Sequence, residues 1–183
     1  CGPDASEWFL NELLKVYLKH ANLPDSEKGA IEGALFLGRN GGNIDATPAG
    51  NMEGCGKGEK CKGTFFLFGK CVTNWTMNNM LYGFVSRLME VPPGIRNDGA
   101  NAENVANGQG LEGTNQQAAY GAGSRAAEPF LNPSRRITVS EIQGEAYSYL
   151  QLVQKLDCAP CGKTLPTTAG GKVYSTTNPI LSN

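Results

Sequence analysis

Apolar side chains between residues 74 and 90 recur with the period of an α-helix. Their spacing of i, i+3, i+4, i+7, i+8, i+11 and i+12 places them on one stripe of a helix: Met77, Met80, Leu81, Phe84, Val85, Leu88 and Met89. Asn74 is a suitable N-cap, and Pro92 with Pro93 cannot continue a helix, so both ends have a local cause. The pattern predicts a core helix, 75–90, around which the rest of the chain packs.

Four other segments have helical patterns of differing strength. Residues 5–20 carry a wide apolar face, and residues 27–37 follow a Pro-Asp-Ser break and stop before a glycine. Residues 140–156 open with a capping-box pattern and continue with an apolar stripe. Residues 115–127 have weaker helical character because two glycines interrupt them.

Residues 63–73 combine aromatic and β-branched side chains between glycines, which predicts one strand or a short hairpin. The tract 38–63 is rich in Gly and Asn and predicts a long loop, and 92–136 is a second weakly hydrophobic tract, rich in Asn, Gly and Ala, in which 115–127 alone has helical character. The expected fold is therefore mainly α (α+β): four to five helices around helix 75–90, with a minor hairpin near 63–73. No repeat or interdomain linker interrupts the sequence, so residues 1–183 are expected to form a single domain.

Composition narrows the function classes. The 183 residues carry a net charge of −1, so the chain lacks the global basic field of a protein that coats nucleic acid. A nuclease with a small local basic patch remains open. No run of 18 apolar residues occurs, and we expect no membrane insertion. Because the sequence begins with Cys1 and not with Met, we expect a domain cut from a larger polypeptide.

The cysteines allow three interpretations. Their even number fits three disulfides, for which fifteen pairings are possible: Cys1, Cys55, Cys61, Cys71, Cys158 and Cys161. A zinc site with four thiolate ligands is an alternative, but only Cys158 and Cys161 have the CxxC spacing that such sites use in pairs. Free thiols are the third possibility. We expect disulfides, with no metal and no cofactor.

The core helix also carries a polar column. Asn78, Tyr82 and Ser86 stand at i, i+4 and i+8, and Gly83 and Arg87 lie beside them. A partner can approach the backbone closely at a glycine, so this column is a candidate site. In the alternative interpretation, Tyr82 belongs to the edge of the core and Gly83 is a packing contact.

Carboxylates are the best candidates for acid–base chemistry. His20 is the only histidine, and its place at the end of a predicted helix, where an imidazolium meets the helix dipole favourably, indicates a structural role. Asp45 and Glu53 lie in Gly-rich segments that could wrap a substrate, or they are simply solvated loop acids. Two carboxylates can cleave a glycosidic bond, and a carboxylate with Tyr82 and Arg87 can promote attack on a phosphodiester. The candidate catalytic residues are Asp45, Glu53, Asn78, Tyr82 and Arg87.

Two separated segments resemble the C-terminal modules of bacterial polymorphic toxins. These are Cys1-Gly2-Pro3-Asp4 before an amphipathic helix, and the segment NNMLYGFVSR at 78–87. They are similar to the type 44 toxin group and to related domains of Rhs-repeat proteins and contractile-injection-system cargo. The core segment resembles an Asn-x-x-x-Tyr/Phe-Gly-x-x-x-Arg pattern, in which Leu81 stands where the type 44 group often has His.

The resemblance implies an antibacterial toxin or effector domain, carried by a larger bacterial protein and secreted or injected into a target cell. The reaction itself is not implied. We expect a hydrolase, either a nuclease acting on RNA or a peptidoglycan hydrolase acting on cell-wall glycan. The alternative is a non-enzymatic, disulfide-stabilised binding or structural module. The expected partners are target-cell RNA or peptidoglycan, a cognate immunity protein and the parent delivery protein.

Overall fold

The computed structural model describes residues 1–36, 61–106, 108, 110–111, 113–132, 137–159, 161–164 and 181–182. Six helices lie within these residues: α1 (Ser6–Ala21), α2 (Asp25–Phe36), α3 (Asn74–Leu88), α4 (Pro93–Ala106), α5 (Thr114–Ala127) and α6 (Val139–Leu150). The strands are β1 (Thr64–Leu67), β2 (Lys70–Thr73), β3 (Ile137–Thr138) and β4 (Leu181–Ser182). The expectation of a mainly helical fold with a minor hairpin is confirmed.

Helix α3 is the centre of the hydrophobic core, as its apolar stripe predicts. Six of the seven stripe residues are buried: Met77, Met80, Leu81, Phe84, Val85 and Leu88. The N-cap is Thr73, one residue earlier than predicted, because its Oγ1 accepts a hydrogen bond from the Thr76 amide at 3.3 Å. Asn74 is instead the first helical residue, and its side chain accepts from the amide of Trp75. Capping by Thr73 ties the start of α3 directly to the end of β2.

The polar side of α3 is covered by α5, and glycines set the distance between the two helices. A Cβ added to Gly83 would lie 2.1 Å from the carbonyl oxygen of Tyr120, and one added to Gly123 would lie 1.7 Å from that of Met80. Real side chains cannot approach a backbone so closely, so only glycine fits at either position. The close approach suggested by Gly83 is therefore made by another helix of the same chain.

Helix α4 corrects the prediction that the Gly/Asn-rich tract after residue 92 has helical character only at 115–127. The chain has already left α3 at Glu90, whose φ is 57°, and Pro93 begins the next helix, because proline at the first helical position needs no amide partner there. Helix α6 ends at Leu150, earlier than the predicted residue 156. The carbonyls at its end accept hydrogen bonds from the Lys70 ammonium. Lys70 Nζ lies 2.9 Å from the oxygen of Leu150 and 3.0 Å from that of Gln151.

Strands β1 and β2 form an antiparallel hairpin closed by the two residues Phe68 and Gly69. Both have positive φ, 49° and 86°, as a tight turn between twisted strands requires. The Phe68 amide donates to Ser6 Oγ at 2.9 Å, which fastens the turn to the start of α1. The hairpin predicted at 63–73 is confirmed.

The first residues of the chain run alongside β1. The Phe66 amide donates to the Pro3 carbonyl at 3.0 Å, and the Ala5 amide donates to the Phe66 carbonyl at 2.8 Å. On the other side, the Asp4 amide donates to the Lys163 carbonyl at 2.7 Å. We call the first five residues, residues 61–73 with the hairpin, and residues 158–159 and 161–164 the N-terminal layer.

Two disulfides cross-link this layer. Cys1 is bonded to Cys71 and Cys61 to Cys158, with Cα atoms 5.8 and 5.9 Å apart. Cys161 is also disulfide-bonded. The predicted disulfides are confirmed for these residues, and the alternatives of zinc ligation or free thiols do not apply to them.

Candidate functional site

The structure places the candidate catalytic residues in different surroundings. Asp45 and Glu53 lie outside the described residues. Asn78, Tyr82 and Arg87 all belong to α3, but Tyr82 contacts α4 and α5 whereas Arg87 pairs with a residue just after α5. Asn78 lies one turn before Tyr82 and is partly buried. The polar column is therefore part of helix packing and also the edge of a polar cluster.

Tyr82 is buried in this cluster. Its ring lies edge-on to that of Tyr120, with centroids 5.1 Å apart, and its hydroxyl donates to the Arg96 carbonyl at 3.1 Å. One turn further along α3, Ser86 Oγ donates to the Tyr82 carbonyl at 2.7 Å. The phenol of Tyr82 thus holds the first turn of α4 against α3.

Arg96 is the chemically most unusual residue of the cluster. It is only 6% exposed, and its guanidinium lies over the Tyr120 ring, 5.5 Å from the centroid. Nε and Nη2 both donate to Asn97 Oδ1 at 3.1 Å, and Nη1 donates to Ser124 Oγ. Ser124 in turn donates to the Gly83 carbonyl at 3.1 Å, so Arg96 links α4 to α5 and α3.

The electrostatic setting of Arg96 is dominated by its burial. Desolvation lowers the pKa of its guanidinium, and the fields of Tyr82, Tyr120 and Tyr149 act in the opposite direction. The hydrogen-bond acceptors of the guanidinium are a serine hydroxyl and an asparagine amide oxygen, both neutral. We call Tyr82, Arg96, Asn97, Tyr120 and Ser124 the Arg96 cluster.

Arg87 has a carboxylate partner. Its Nε lies 2.8 Å from Glu128 Oε1 and its Nη2 lies 3.3 Å from Glu128 Oε2, a two-point ion pair. Both side chains are about one-third exposed. The hydrogen bond that Arg87 donates to Glu128 raises the pKa of Arg87, as do the charges of Glu128 and Glu90, while desolvation acts against them. Arg87 is therefore held in place at the surface.

His20 lies in the last turn of α1, where the sequence indicates a structural role. Its Nε2 is 2.8 Å from Met89 Sδ, just beyond the end of α3. Burial, and to a lesser extent the charge of Lys28, lower the pKa of the imidazole. No carboxylate or hydroxyl among the described residues is recorded as its hydrogen-bond partner.

Arg96 was not among the residues that the sequence singled out. Its role depends on α4, which the composition of residues 92–106 conceals because Gly and Asn are frequent there. A usable signal was the pair of prolines followed three residues later by an arginine, since Pro93 at the first helical position would have put Arg96 in the first turn.

Known proteins offer no template for this arrangement: no family model, curated protein or solved structure matches the chain. Within the described parts of the chain, no three His, Cys, Asp or Glu side chains are grouped so as to hold a metal ion. No helix in those parts is long and apolar enough to cross a membrane. Function must therefore be argued from the residues themselves.

Proposed function

We propose that this chain is a toxin or effector domain that acts in an oxidising compartment and hydrolyses cell-wall glycan of a target bacterium. The observation that carries this proposal is the pair of disulfides in the N-terminal layer. They join residues 70 and 97 positions apart in sequence. A cognate immunity protein and a parent delivery protein are the partners expected under this proposal.

The disulfides favour the cell wall over cytosolic RNA. Thiol reductants in a cytosol keep cysteines reduced, whereas the periplasm and the extracellular space allow disulfides to persist. Removal of a disulfide between residues so far apart raises the conformational entropy of the unfolded chain by a large amount, and this destabilises the fold. A domain built in this way is best suited to a compartment in which its disulfides remain oxidised.

Charge supports the same choice. Binding to RNA is driven by Lys and Arg side chains that neutralise phosphates. The chain has 16 Lys and Arg residues against 17 Asp and Glu, so no net attraction to a polyanion is expected. Arg87 is already paired with Glu128. Neutral or weakly charged glycan requires no such basic surface.

Glycan hydrolysis needs one carboxylic acid to protonate the leaving oxygen and one carboxylate to act as base or nucleophile. Under this proposal Asp45 and Glu53 supply that pair, and Asn78 helps to orient the sugar, while the buried Tyr82 positions α3 against α4. The proposal thus assigns the chemistry to two residues that can be tested one by one.

Expression in two compartments tests the proposal. The chain is produced in a bacterium either with or without an export signal, and growth is followed together with the variants Asp45→Asn and Glu53→Gln. Lysis only on export, abolished by either variant, is expected. Growth arrest only by the cytoplasmic protein would contradict the wall as the target. Lysis by the exported double variant that equals lysis by the wild type would contradict the assigned acids.

A non-enzymatic binding module is the second candidate. The observation that favours it is the engagement of Tyr82 with Arg96 and of Arg87 with Glu128, which gives both residues a role in packing. It predicts that Arg87→Lys or Asn78→Ala alters stability alone. Folded, exported wild-type protein that leaves growth and isolated peptidoglycan unchanged would favour this candidate.

A further inference from the structure

A buried positive charge, without a counter-charge among the residues that the structure describes, is the feature that the proposed function does not use. Arg96 is 6% exposed, and its partners are Ser124, Asn97 and the Tyr120 ring, all of them neutral. The carboxylates of the recorded ion pairs are held by other cations: Glu12 by Lys15, Asp25 by Lys28, Glu128 by Arg87 and Glu145 by Arg125. Buried charges are normally paired, because burial without a partner is costly.

The helix that carries Arg96 does not offset this charge. Arg96 stands in the first turn of α4, at the positive end of the helix dipole, and that turn contains no acidic residue. Ser124 lies in the last turn of α5, and the carbonyl end of that helix offsets part of the positive potential at Arg96. The combined field of the guanidinium and the start of α4 remains attractive to an anion.

The guanidinium also has donors to spare. Arginine has five N–H groups. One on Nε, one on Nη1 and one on Nη2 donate to Asn97 and Ser124. One N–H group on each terminal nitrogen is left without an acceptor among the described residues. Two such donors on one planar group match the two oxygens of a carboxylate or phosphate.

Tyr149 is the partly exposed residue whose charge acts on Arg96. This α6 residue is 41% exposed, and its ring packs where Gly121 leaves room, since a Cβ there would lie 2.4 Å from the ring. Its field is among those that act on the pKa of Arg96.

We propose that Arg96 is an oxyanion-binding residue, which takes a carboxylate or phosphate of a ligand that enters beside Tyr149. The buried guanidinium binds the anion through its two spare N–H groups, and Asn97 and Ser124 hold it in position. This proposal does not depend on hydrolysis of glycan. A carboxylate would point to an acidic sugar of the wall, and a phosphate to a phosphorylated ligand.

Thermal unfolding of the disulfide-intact chain tests the site directly. The protein is titrated at constant ionic strength with inorganic phosphate, with N-acetylmuramic acid and with uncharged N-acetylglucosamine. We expect a saturable rise in Tm of about 3–5 °C at ten times Kd for at least one of the two anions and none for N-acetylglucosamine. Whichever anion gives the rise identifies the chemical source. No saturable rise with either anion would overturn the proposal.

Substitutions assign the effect to Arg96. Arg96→Met should abolish the rise and leave the Tm in anion-free buffer unchanged or higher, because a buried charge is replaced by an apolar chain of similar length. The control Arg125→Met removes a surface arginine paired with Glu145 and should keep the rise. An undiminished rise in Arg96→Met, at any Tm, would overturn the assignment.

A second variant covers the case in which Arg96→Met does not fold. Arg96→Lys keeps the charge but loses the planar fork, so calorimetric titration should show at least about tenfold weaker anion binding than the wild type. Equal binding by Arg96→Lys and wild type would contradict a two-point contact to the guanidinium.

Discussion

The contact between α3 and α5 and the N-terminal layer bring chain segments together by opposite means. Between the helices, Gly83 and Gly123 remove side chains so that backbones touch directly. In the N-terminal layer, two disulfides join the hairpin region to two irregular segments, although Phe65, Leu67 and Val72 of the hairpin also pack into the core. The helical contact is therefore independent of redox conditions, whereas the layer depends on them. This difference links the fold to a compartment.

The largest effect on stability is expected from a substitution at the contact between α3 and α5. Gly123→Ala should destabilise the protein by about 4 kcal/mol or more, because the new Cβ would lie 1.7 Å from the Met80 carbonyl oxygen and the helices must separate. Chemical denaturation measures this change. Gly144→Ala is the matched control: it lies on α6 with no atom near its added Cβ and should stabilise by about 0.5–1 kcal/mol. Equal effects of the two substitutions would show that the close contact does not limit stability.

The next largest effect is expected in the N-terminal layer. Replacement of Cys61 and Cys158 by alanine opens a link across 97 residues and should cost about 3–4 kcal/mol. Unfolding in denaturant, compared with oxidised wild type, measures the loss. A stability unchanged within about 0.5 kcal/mol would remove the argument that this layer requires an oxidising compartment.

A smaller effect is expected from the ion pair at the end of the helix contact. A double-mutant cycle of Arg87→Met and Glu128→Gln should give a coupling of about 0.5–1 kcal/mol, because both side chains are about one-third exposed and water screens the pair. Such a value would confirm that backbone approach, and not charge, holds α3 to α5. A coupling above about 3 kcal/mol would reverse that ranking.

The smallest effect on stability is expected from His20, where α1 meets the end of α3. Burial and Lys28 lower the pKa of His20, so the unfolded chain binds its proton more readily than the folded one. Stability is then complete above the unfolded pKa near 6.5 and falls as pH drops through the folded pKa. Thermal unfolding between pH 7.5 and pH 5 should show this loss for wild type and a weaker one for His20→Gln. Identical profiles would exclude His20 as the source.

Local patterns predicted much of this fold. The stripe on α3, the face of α1 and the glycine-bounded hairpin each depend on neighbours within a few turns, so the sequence was sufficient for them. The helix α4 was not predicted, because its many Gly and Asn residues hide the start signal of Pro93. The disulfide pairing was not predicted either, since the spacing of six cysteines leaves fifteen possible connectivities.

The candidate site was predicted less well, for a tertiary reason. Tyr82 was identified, but its main partner Arg96 lies on the unpredicted helix. The polar column on α3 suggested an open face because its residues are polar. In the structure α5 covers it: the Tyr120 ring packs on Tyr82, and Ser124 donates to the Gly83 carbonyl. Which helix covers a polar face depends on the whole chain and not on the pattern of that face.

Hydrogen exchange of the native protein, measured by mass spectrometry with and without a disulfide reductant, tests the difference between the two regions most directly. We predict that reduction exposes the amides of β1, β2 and the first residues of the chain, while those of α3 and α5 exchange last. Hairpin amides that stay protected after reduction, or that lose protection together with α3 and α5, would contradict a layer held by disulfides beside a redox-independent helical core.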